Sequence, residues 1–247
     1  MLMNYNIYRL KLLEVVRYLT EYTALALFIS YLFYDSLKMA VLLLPGLAFY
    51  IDGRRKDLLL ARKKELAKQF KDMIQAVATG MNAGYSVENS FREAYGDMVK
   101  LNGEDSLICR EMKGFLREME AGLSIEKVLL DFSLRSGVEE VKDFAEIFAI
   151  AKRSGGNFSE MIGRTVGIMQ EKDETEREIE VMLSGKRYEQ KIMGVIPLFI
   201  ILYLKLGSGG FIYALYHNPA GTGVMSACLL VYFVSWLLAR KIAFIEV

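Results

Sequence analysis

Hydrophobic and polar positions divide this chain into a charged, helix-patterned middle and two apolar ends. Between Arg54 and Lys191, apolar residues recur at intervals of three and four, which is the spacing along one buried face of a helix. The alternation of apolar and polar residues that is typical of strands is rare in this region. We therefore predict an all-α domain over residues 54–191, with six apolar helical faces. These faces comprise Leu66, Phe70, Met73, Ile74, Val77 and Met81; Val87, Phe91, Ala94 and Met98; Ile108, Met112, Phe115 and Met119; Ile125, Val128, Leu129 and Phe132; Val141, Phe144, Phe148 and Ala151; and Met161, Thr165, Ile168 and Met169.

Most of the charges lie in this middle region. It holds 24 of the 31 Lys and Arg residues and 25 of the 30 Asp and Glu residues, so it is highly charged but nearly neutral. Such a composition indicates a water-soluble domain that apolar segments on both sides hold at a membrane. The formal net charge of +1 argues against a nucleic-acid partner, because nucleic acids bind strongly basic surfaces.

The C-terminal region, residues 192–247, predicts two transmembrane helices and a short cytoplasmic tail. Ala220 to Ala239 contains no charged residue and is long enough, at about 1.5 Å per residue, to cross a hydrocarbon core of about 30 Å. The preceding span begins after Lys191, contains Pro197 and Lys205, and is expected to end at the glycine-rich segment 207–210.

The N-terminal region, residues 1–53, predicts a cytoplasmic stub and a thin transmembrane hairpin. Its two apolar runs, Tyr22 to Tyr34 and Met39 to Ile51, are short for membrane spans, so a core or re-entrant segment is an alternative. Basic residues flank the pair on both sides, as they flank the C-terminal pair, and such residues mark the cytoplasmic side. We therefore expect a multi-pass cell-membrane protein with four spans, both termini inside and the large domain in the cytoplasm. A signal peptide is not favoured, since no small-x-small cleavage site precedes the second apolar run.

Three glycine-containing joints separate predicted helices. Gly84 and Ser86 form the first joint, Gly122 and Ser124 the second, and Gly155, Gly156 and Asn157 the third. A glycine can close a helix in the left-handed conformation, and a following Ser or Asn can accept a backbone N–H of the next helix. At the third joint Glu160 follows Asn157 at the spacing of a capping box. These joints are expected to turn the chain between antiparallel helices.

Chemistry-bearing patterns are sparse in this sequence. It has no phosphate-binding loop, no Cys and His cluster at metal-ligand spacing, and two cysteines, Cys109 and Cys228, in separate regions. The lone His217 is expected at the outer membrane surface, and Lys205 and Asp35 are expected to reach the headgroups there. The carboxylate run from Glu171 to Glu180 fits a solvated helix face, with docking onto a basic protein surface as the alternative. We therefore expect a non-enzymatic protein without cofactor or metal.

The joints also carry a family resemblance. The chain resembles the type II secretion system F-domain family, the inner-membrane platform proteins of type IV pilus-like machines. The segments that carry it are AVATGMNAGYSVENSFREA, and a stretch from FLREMEAGLSIEKVLLDFS to KRSGGNFSEMIGRTVGIM. One F domain between apolar pairs is similar to the TadB-type subunits of tight-adherence (Flp-type) pili. The larger secretion-system platform proteins have two such domains.

The resemblance implies an assembly platform that couples a hexameric cytoplasmic secretion ATPase to pilin-like subunits in the lipid bilayer. A single F domain implies pairing with a second F-domain platform subunit or with itself, as a hetero- or homo-oligomer. Arg153, Asn157 and Glu160 are the candidate residues for contact with the ATPase or another platform subunit. The alternative reading is a membrane-anchored helical regulator or transporter subunit. A membrane enzyme is disfavoured by the missing nucleophile, base and metal constellation.

Overall fold

All regular elements are helical in the part of the chain that the computed structural model describes, residues 3–8, 10, 12–154, 158–207, 216 and 218–243. A single 3-10 turn, Leu37–Met39, follows the first helix. The α-helices are α1 Leu12–Tyr34, α2 Ala40–Leu43, α3 Gly46–Asn82, α4 Val87–Asn102, α5 Leu107–Glu120, α6 Ile125–Ser136, α7 Glu139–Ser154, α8 Phe158–Gly207 and α9 Pro219–Ala243.

The chain forms two compact units, which we describe separately. Unit 1 comprises Met1–Arg9 and Arg54–Glu174, and unit 2 comprises Leu10–Gly53 and Thr175–Val247. The division differs from the predicted segments 1–53, 54–191 and 192–247, because the extreme N-terminus belongs to unit 1. The boundaries at 53 and at 174 fall inside the continuous helices α3 and α8.

Unit 1 has a continuous hydrophobic core to which α3 to α8 all contribute. Five of the predicted apolar faces supply most of its buried residues, as the intervals of three and four require. Phe132 lies among aromatic rings, with its centroid 6.5 Å from Tyr5, 6.0 Å from Phe70 and 5.2 Å from Phe115. These packed rings give the core its largest buried side chains.

The sixth predicted face is displaced around α8 by one residue. Ile168 was predicted to be buried but is 67% exposed, whereas Ile162 and Val166 lie in the core beside Thr165 and Met169. Ile162, Thr165, Val166 and Met169 repeat at three and four and form one stripe, and Met161 and Ile168 lie on the adjacent stripe. The sequence is compatible with burial of either stripe. In the structure, the stripe that contains Ile162 and Val166 is buried in the core of unit 1.

The N-terminal part of unit 2 is less regular than the predicted hairpin. The first apolar run lies in α1, which begins ten residues earlier than that run, at Leu12. The second run is not one helix: α2 has four residues, and α3 begins after Pro45. Proline lacks a backbone N–H and therefore cannot continue the hydrogen-bonding pattern of the preceding helix.

Two helices in the described residues are long and apolar enough to cross a membrane. They include Ser159–Gly207 and Pro219–Ala239, which contain the two predicted C-terminal spans. Their apolar side chains face outward: Phe199 is 65% exposed, Tyr203 is 75% exposed and Leu230 is 66% exposed. A small cluster of Leu32, Phe33 and Met225 joins α1 to α9, with residues of α8 packed around it. The helices that contain the two N-terminal apolar runs do not meet this criterion of length and apolar character. Their crossing of the membrane therefore stays a prediction.

Candidate functional site

The first helix joint has the predicted geometry. Gly84 has a φ of 92°, and the N–H groups of Gly84 and Tyr85 donate to the carbonyls of Met81 and Gly80 at 3.0 and 3.1 Å. Ser86 caps α4, because its Oγ accepts the N–H of Asn89 at 3.3 Å. The positive φ accounts for the glycine, since other residues are strained in that conformation.

The second joint has a glycine with positive φ, as the first joint does, but it lacks the side-chain cap hydrogen bond. Gly122 has a φ of 85°. Ser124 precedes α6 in an extended conformation, yet its side chain accepts no backbone hydrogen bond there. The Glu126 carboxylate, two residues further on, pairs with Lys152 at 3.0 Å. Burial opposes the charged form of Glu126, but hydrogen bonds from its own backbone N–H and from Lys152 lower its pKa below the usual range.

The predicted partner-contact residues cluster around the third joint. Gly155, Gly156 and Asn157 lie outside the described residues. Arg153 is exposed in the last turn of α7, and Glu160 lies in the first turn of α8, where its carboxylate pairs with Arg164 at 2.6 Å. The hydroxyl of Ser159 contacts the amide oxygen of Asn82 at 2.5 Å, so this joint lies beside the end of α3. The geometry presents exposed charges of both signs.

A buried ionic centre in unit 1 was not predicted from the sequence. Glu111 on α5 is 2% exposed, and its two carboxylate oxygens accept hydrogen bonds from Tyr5 at 2.9 Å and from Arg135 at 2.8 Å. Arg135 also donates to Asp131 at 2.5 Å and to the carbonyl of Met3 at 3.3 Å. Each buried polar group therefore has a partner, as burial of a charge requires.

The N-terminal segment Met3–Tyr8 is one side of this centre. The backbone N–H of Tyr5 donates to the carbonyl of Arg135 at 3.0 Å, and the Arg62 guanidinium lies 5.1 Å from the Tyr5 ring centre. Burial, followed by the nearby Glu111 carboxylate, raises the pKa of the Tyr5 hydroxyl well above its usual value. Lys63 contacts both Asn6 and Gly137. These residues fasten the segment across α3, α5 and α6.

A second polar group lines a small cavity of about 80 Å³ between α3 and α8 in unit 1. Lys71 contacts Asp173 and lies 3.8 Å from Glu140. Burial raises the pKa of the neighbouring Asp72, and the carboxylates of Asp173 and Glu65 add to the effect. The cavity is far smaller than the several hundred Å³ of a typical small-molecule site. We interpret it as a packing defect bridged by polar residues.

Lys205 and Asp35, which the sequence predicts to reach the headgroups, form an ion pair with each other in unit 2. The Lys205 Nζ lies 2.7 Å from an Asp35 carboxylate oxygen and donates to the carbonyl of Tyr31 at 2.5 Å. It also lies 3.3 Å from the centre of the Tyr31 ring. Lys205 is 11% exposed in its side chain, so the pair connects the ends of α1 and α8. Asp35 has a φ of 51°, an uncommon conformation outside glycine.

The described residues bring together no group of three or more His, Cys, Asp and Glu side chains that could hold a metal ion. His217 lies outside the described residues. Cys109 is buried in unit 1 and Cys228 is exposed on α9, and both are free thiols.

The sequence contains only weak signals for the Glu111 ionic centre and for the Lys205–Asp35 pair. Glu111 interrupts the otherwise apolar stripe of α5 between Ile108 and Met112, and such an interruption is a usable sign of a buried charge. Its partners are more than 20 and more than 100 residues away, so no local spacing pairs them. Lys205 and Asp35 are each visible as charges within apolar sequence, but 170 residues separate them.

Comparison with known families adds one finding. The family model described as type II secretion system (T2SS), protein F, matches residues 73–204, which is more than half of the 247-residue chain. The matched region runs from α3 through α4 to α7 and into the apolar part of α8. The chain matches no curated protein and no solved structure.

Proposed function

Because the chain belongs to the type II secretion system protein F family, we propose that it is the TadB-like platform subunit of a tight-adherence (Flp-type) pilus machine. Members of this family are non-enzymatic platform proteins of secretion and pilus systems. The observation that carries the proposal is the match over residues 73–204, since it includes helices of unit 1 and continues along α8 into the helix that is long and apolar enough to cross a membrane.

In this proposal the protein couples a hexameric cytoplasmic secretion ATPase to the extrusion of pilin-like subunits. Arg153 and Glu160 are the contact residues proposed on the described part of the third joint, together with Asn157. Exposure of Arg153 and the half-exposed carboxylate of Glu160 support this choice, because a rim of charges favours rapid and specific association. Arg153→Glu or Glu160→Lys should weaken ATPase binding while unfolding temperature stays unchanged. Unchanged binding in both variants would place the contact elsewhere.

The proposed topology has four spans, with both termini and unit 1 in the cytoplasm. Contacts within unit 2 support the inclusion of α1 among the spans. Tyr34 on α1 hydrogen-bonds Ser226 on α9 at 2.9 Å, and Asp35 pairs with Lys205. An α-helix of 23 residues is about 35 Å long, which suffices for a bilayer. Cysteines introduced at Ser36 and at Lys56 test the orientation. Their accessibility to a thiol reagent that does not cross the membrane is measured in inverted and in right-side-out vesicles.

The helix α8 is proposed to transmit ATPase-driven motion toward the membrane. It is a continuous helix from Phe158 to Gly207. Ser184 and Gly185 are both exposed, and no atom beyond the neighbouring helix backbone lies within 4 Å of the position that a Cβ on Gly185 would take. A Gly-Gly-Ser insertion after Ser184 should abolish pilus assembly and leave membrane insertion intact. The same insertion after Gly103, in the loop between α4 and α5, is the matched control. Normal pilus output from the Ser184 insertion would contradict a lever.

Mass spectrometry of proteins that co-purify with the tagged, detergent-solubilised chain tests the function itself. We expect a hexameric secretion ATPase, a second F-domain protein or a small pilin-like subunit. Recovery of a solute permease instead would favour a transporter-subunit role and leave the family relationship as a statement about fold. Arg153→Glu serves as the matched variant, because it should lose the ATPase and retain membrane partners.

A further inference from the structure

The N-terminal segment Met3–Tyr8 contacts unit 1 in the way that a bound peptide contacts a protein surface. It belongs to no helix and turns at Tyr5 and Asn6, where the Asn4 side chain accepts the N–H of Asn6 at 2.9 Å. Tyr5 is 1% exposed, whereas Asn4, Asn6 and Ile7 are exposed. A single buried anchor between exposed neighbours is the usual pattern of a short peptide ligand.

The surroundings of Tyr5 contact its ring, its hydroxyl and its backbone. The ring lies edge-on to Phe132, and the Arg62 guanidinium lies over it at 5.1 Å from the ring centre. The hydroxyl donates to Glu111 at 2.9 Å, and the backbone N–H donates to the carbonyl of Arg135 at 3.0 Å. A phenylalanine would leave a carboxylate oxygen of Glu111 without this donor, so the contacts favour tyrosine over phenylalanine.

The side chain of Asn6 is held at the joint between α6 and α7. Its Nδ2 donates to the carbonyl of Leu134 at 3.3 Å, and its Oδ1 accepts from the Lys63 ammonium at 2.8 Å. Gly137 leaves room for this amide, because a Cβ on Gly137 would overlap the Asn6 amide oxygen. Both ends of the carboxamide therefore have partners, and only asparagine and glutamine side chains offer both a donor and an acceptor of this kind.

The groups that contact the segment are also held by partners outside it. The Glu111 carboxylate pairs with Arg135 at 2.8 Å, and Arg135 pairs with Asp131 at 2.5 Å. The Lys63 ammonium donates to the carbonyl of Gly137 at 3.0 Å. These contacts do not involve the segment, so they keep the site in place when the segment leaves. A site that is ordered in advance binds a peptide without the cost of ordering its own side chains.

We propose that unit 1 contains a binding site for a turn-forming peptide with the sequence Tyr-Asn, and that the N-terminal segment of the chain occupies this site as a detachable ligand. Tyr5 is the contribution of the segment to a buried cluster that α3 to α8 otherwise build, so the helices stay folded when the segment detaches. The inference is independent of the proposed pilus function. We call the site the Tyr5 site, formed by Arg62 and Lys63 on α3, Glu111 on α5, and Leu134 and Arg135 on α6.

Peptide exchange in the full chain tests the Tyr5 site directly. A recognition sequence for a specific protease is inserted after Leu10, and cleavage in detergent turns the segment into a free peptide. A synthetic peptide of residues 3–9, MNYNIYR, carries a fluorescent label at its C-terminus, where the chain continues toward α1. Fluorescence anisotropy should show saturable binding to the cleaved protein. Binding to the uncleaved protein should be weaker by about tenfold or more, because its own tethered segment competes at a high effective concentration.

Matched peptides test which contacts hold the ligand. Tyr5→Phe in the peptide should weaken binding by about tenfold or more, because Glu111 loses its donor. Asn6→Ala should weaken it as well, whereas the control Ile7→Ala should bind like the natural peptide, since Ile7 is 54% exposed. Equal affinity of all four peptides would overturn the proposal. A cleaved protein that never releases its segment, or that unfolds when the segment leaves, would also overturn it.

Hydrogen exchange of the wild-type protein tests detachment without any insertion. The N–H of Tyr5, bonded to the carbonyl of Arg135, should exchange through a local opening. Its exchange should be faster by about a hundredfold or more than that of the backbone N–H groups of Phe70 and Phe132 in the core helices. Mass spectrometry resolved by peptide fragment measures both. Equal protection would mean that the segment leaves only when unit 1 unfolds, and would contradict a detachable ligand.

Discussion

Units 1 and 2 consist of the same secondary structure but direct their apolar side chains oppositely. In unit 1 the rings of Phe70, Phe132 and Phe144 have no measurable exposure, and the charged side chains cover the surface. In unit 2 Phe199 and Leu230 are each about two-thirds exposed, and the buried cluster centres on Leu32, Phe33 and Met225. The first arrangement suits water and the second suits lipid, where apolar contact between helices gains little over contact with acyl chains.

Polar contacts differ between the units in the same way. Unit 1 buries an ionic centre within a thick core, where Glu111 is supported by Tyr5 and Arg135. Unit 2 joins its helices through hydrogen bonds of tyrosines and one lysine, for example from Tyr232 to the carbonyl of Gly194 at 2.6 Å. Burial of apolar side chains therefore stabilises unit 1, whereas individual hydrogen bonds and ion pairs contribute more to the specific association of helices in unit 2.

Truncation of one large side chain in each unit would test this contrast most strongly. Phe132→Ala leaves a cavity among three aromatic rings and should cost about 3–5 kcal/mol of unfolding free energy. Leu230→Ala, on the exposed side of α9, should cost less than about 0.5 kcal/mol in detergent. Denaturant unfolding of both variants provides the measurement. Equal losses would show that the outward face of α9 is packed.

Removal of the Glu111 carboxylate should be nearly as damaging. Glu111→Ala leaves Arg135 and the Tyr5 hydroxyl without their buried acceptor, and breaking such a pair costs about 3–5 kcal/mol. Glu111→Gln keeps an acceptor and should lose clearly less. Thermal unfolding of the two variants separates the loss of hydrogen bonding from the loss of charge. Similar stability in wild type and Glu111→Ala would remove the ionic centre from the account of unit 1.

High pH should reveal the buried tyrosine of the same centre. The pKa of Tyr5 is raised above its model-compound value of 10.0 by burial first and by Glu111 second, so the folded state keeps the proton that the unfolded chain releases. Stability is therefore complete below pH 10 and falls above it, by at most about 1.4 kcal/mol per pH unit. Tyr5→Phe should show a shallower decline between pH 10 and 11.5. Parallel curves for the two proteins would contradict the contribution of Tyr5.

A double-mutant cycle on Lys205 and Asp35 sharpens the description of unit 2. Lys205→Met and Asp35→Asn each remove one side of the pair, and the coupling between them should be about 0.5–1.7 kcal/mol, the range for polar contacts between membrane helices. Unfolding in mild detergent measures the four proteins. Additive losses would mean that the two side chains stabilise unit 2 independently.

The smallest expected effect distinguishes the two glycine joints. Ser86→Ala removes a helix cap and should cost about 1 kcal/mol, whereas Ser124→Ala removes no cap hydrogen bond and should cost less than about 0.5 kcal/mol. The two variants are compared by the midpoints of their denaturant unfolding curves, provided that the dependence of unfolding free energy on denaturant has the same slope in both. An equal or larger loss of stability in Ser124→Ala would contradict this difference between the two joints.

Local sequence predicted the elements well and the long-range contacts poorly. The faces around Phe91, Met112 and Phe144 follow directly from helical periodicity, and the left-handed glycines follow from the absence of a Cβ. The cap at Ser86 follows from local chemistry, but Ser124 shows that the same residue at the same place can leave the cap hydrogen bond unmade. Candidate contact residues Arg153 and Glu160 are exposed as predicted, yet exposure alone does not identify a partner.

The all-helical class, the apolar faces and the two C-terminal candidate spans could be predicted from the sequence, because they depend on periodicity and composition over short windows. The buried stripe of α8, the place of Tyr5 in the core of unit 1 and the pairing of Lys205 with Asp35 depend on the packed fold. These contacts join residues that are far apart along the chain. A buried charge needs a partner, but only the packing of distant helices determines which side chain supplies it.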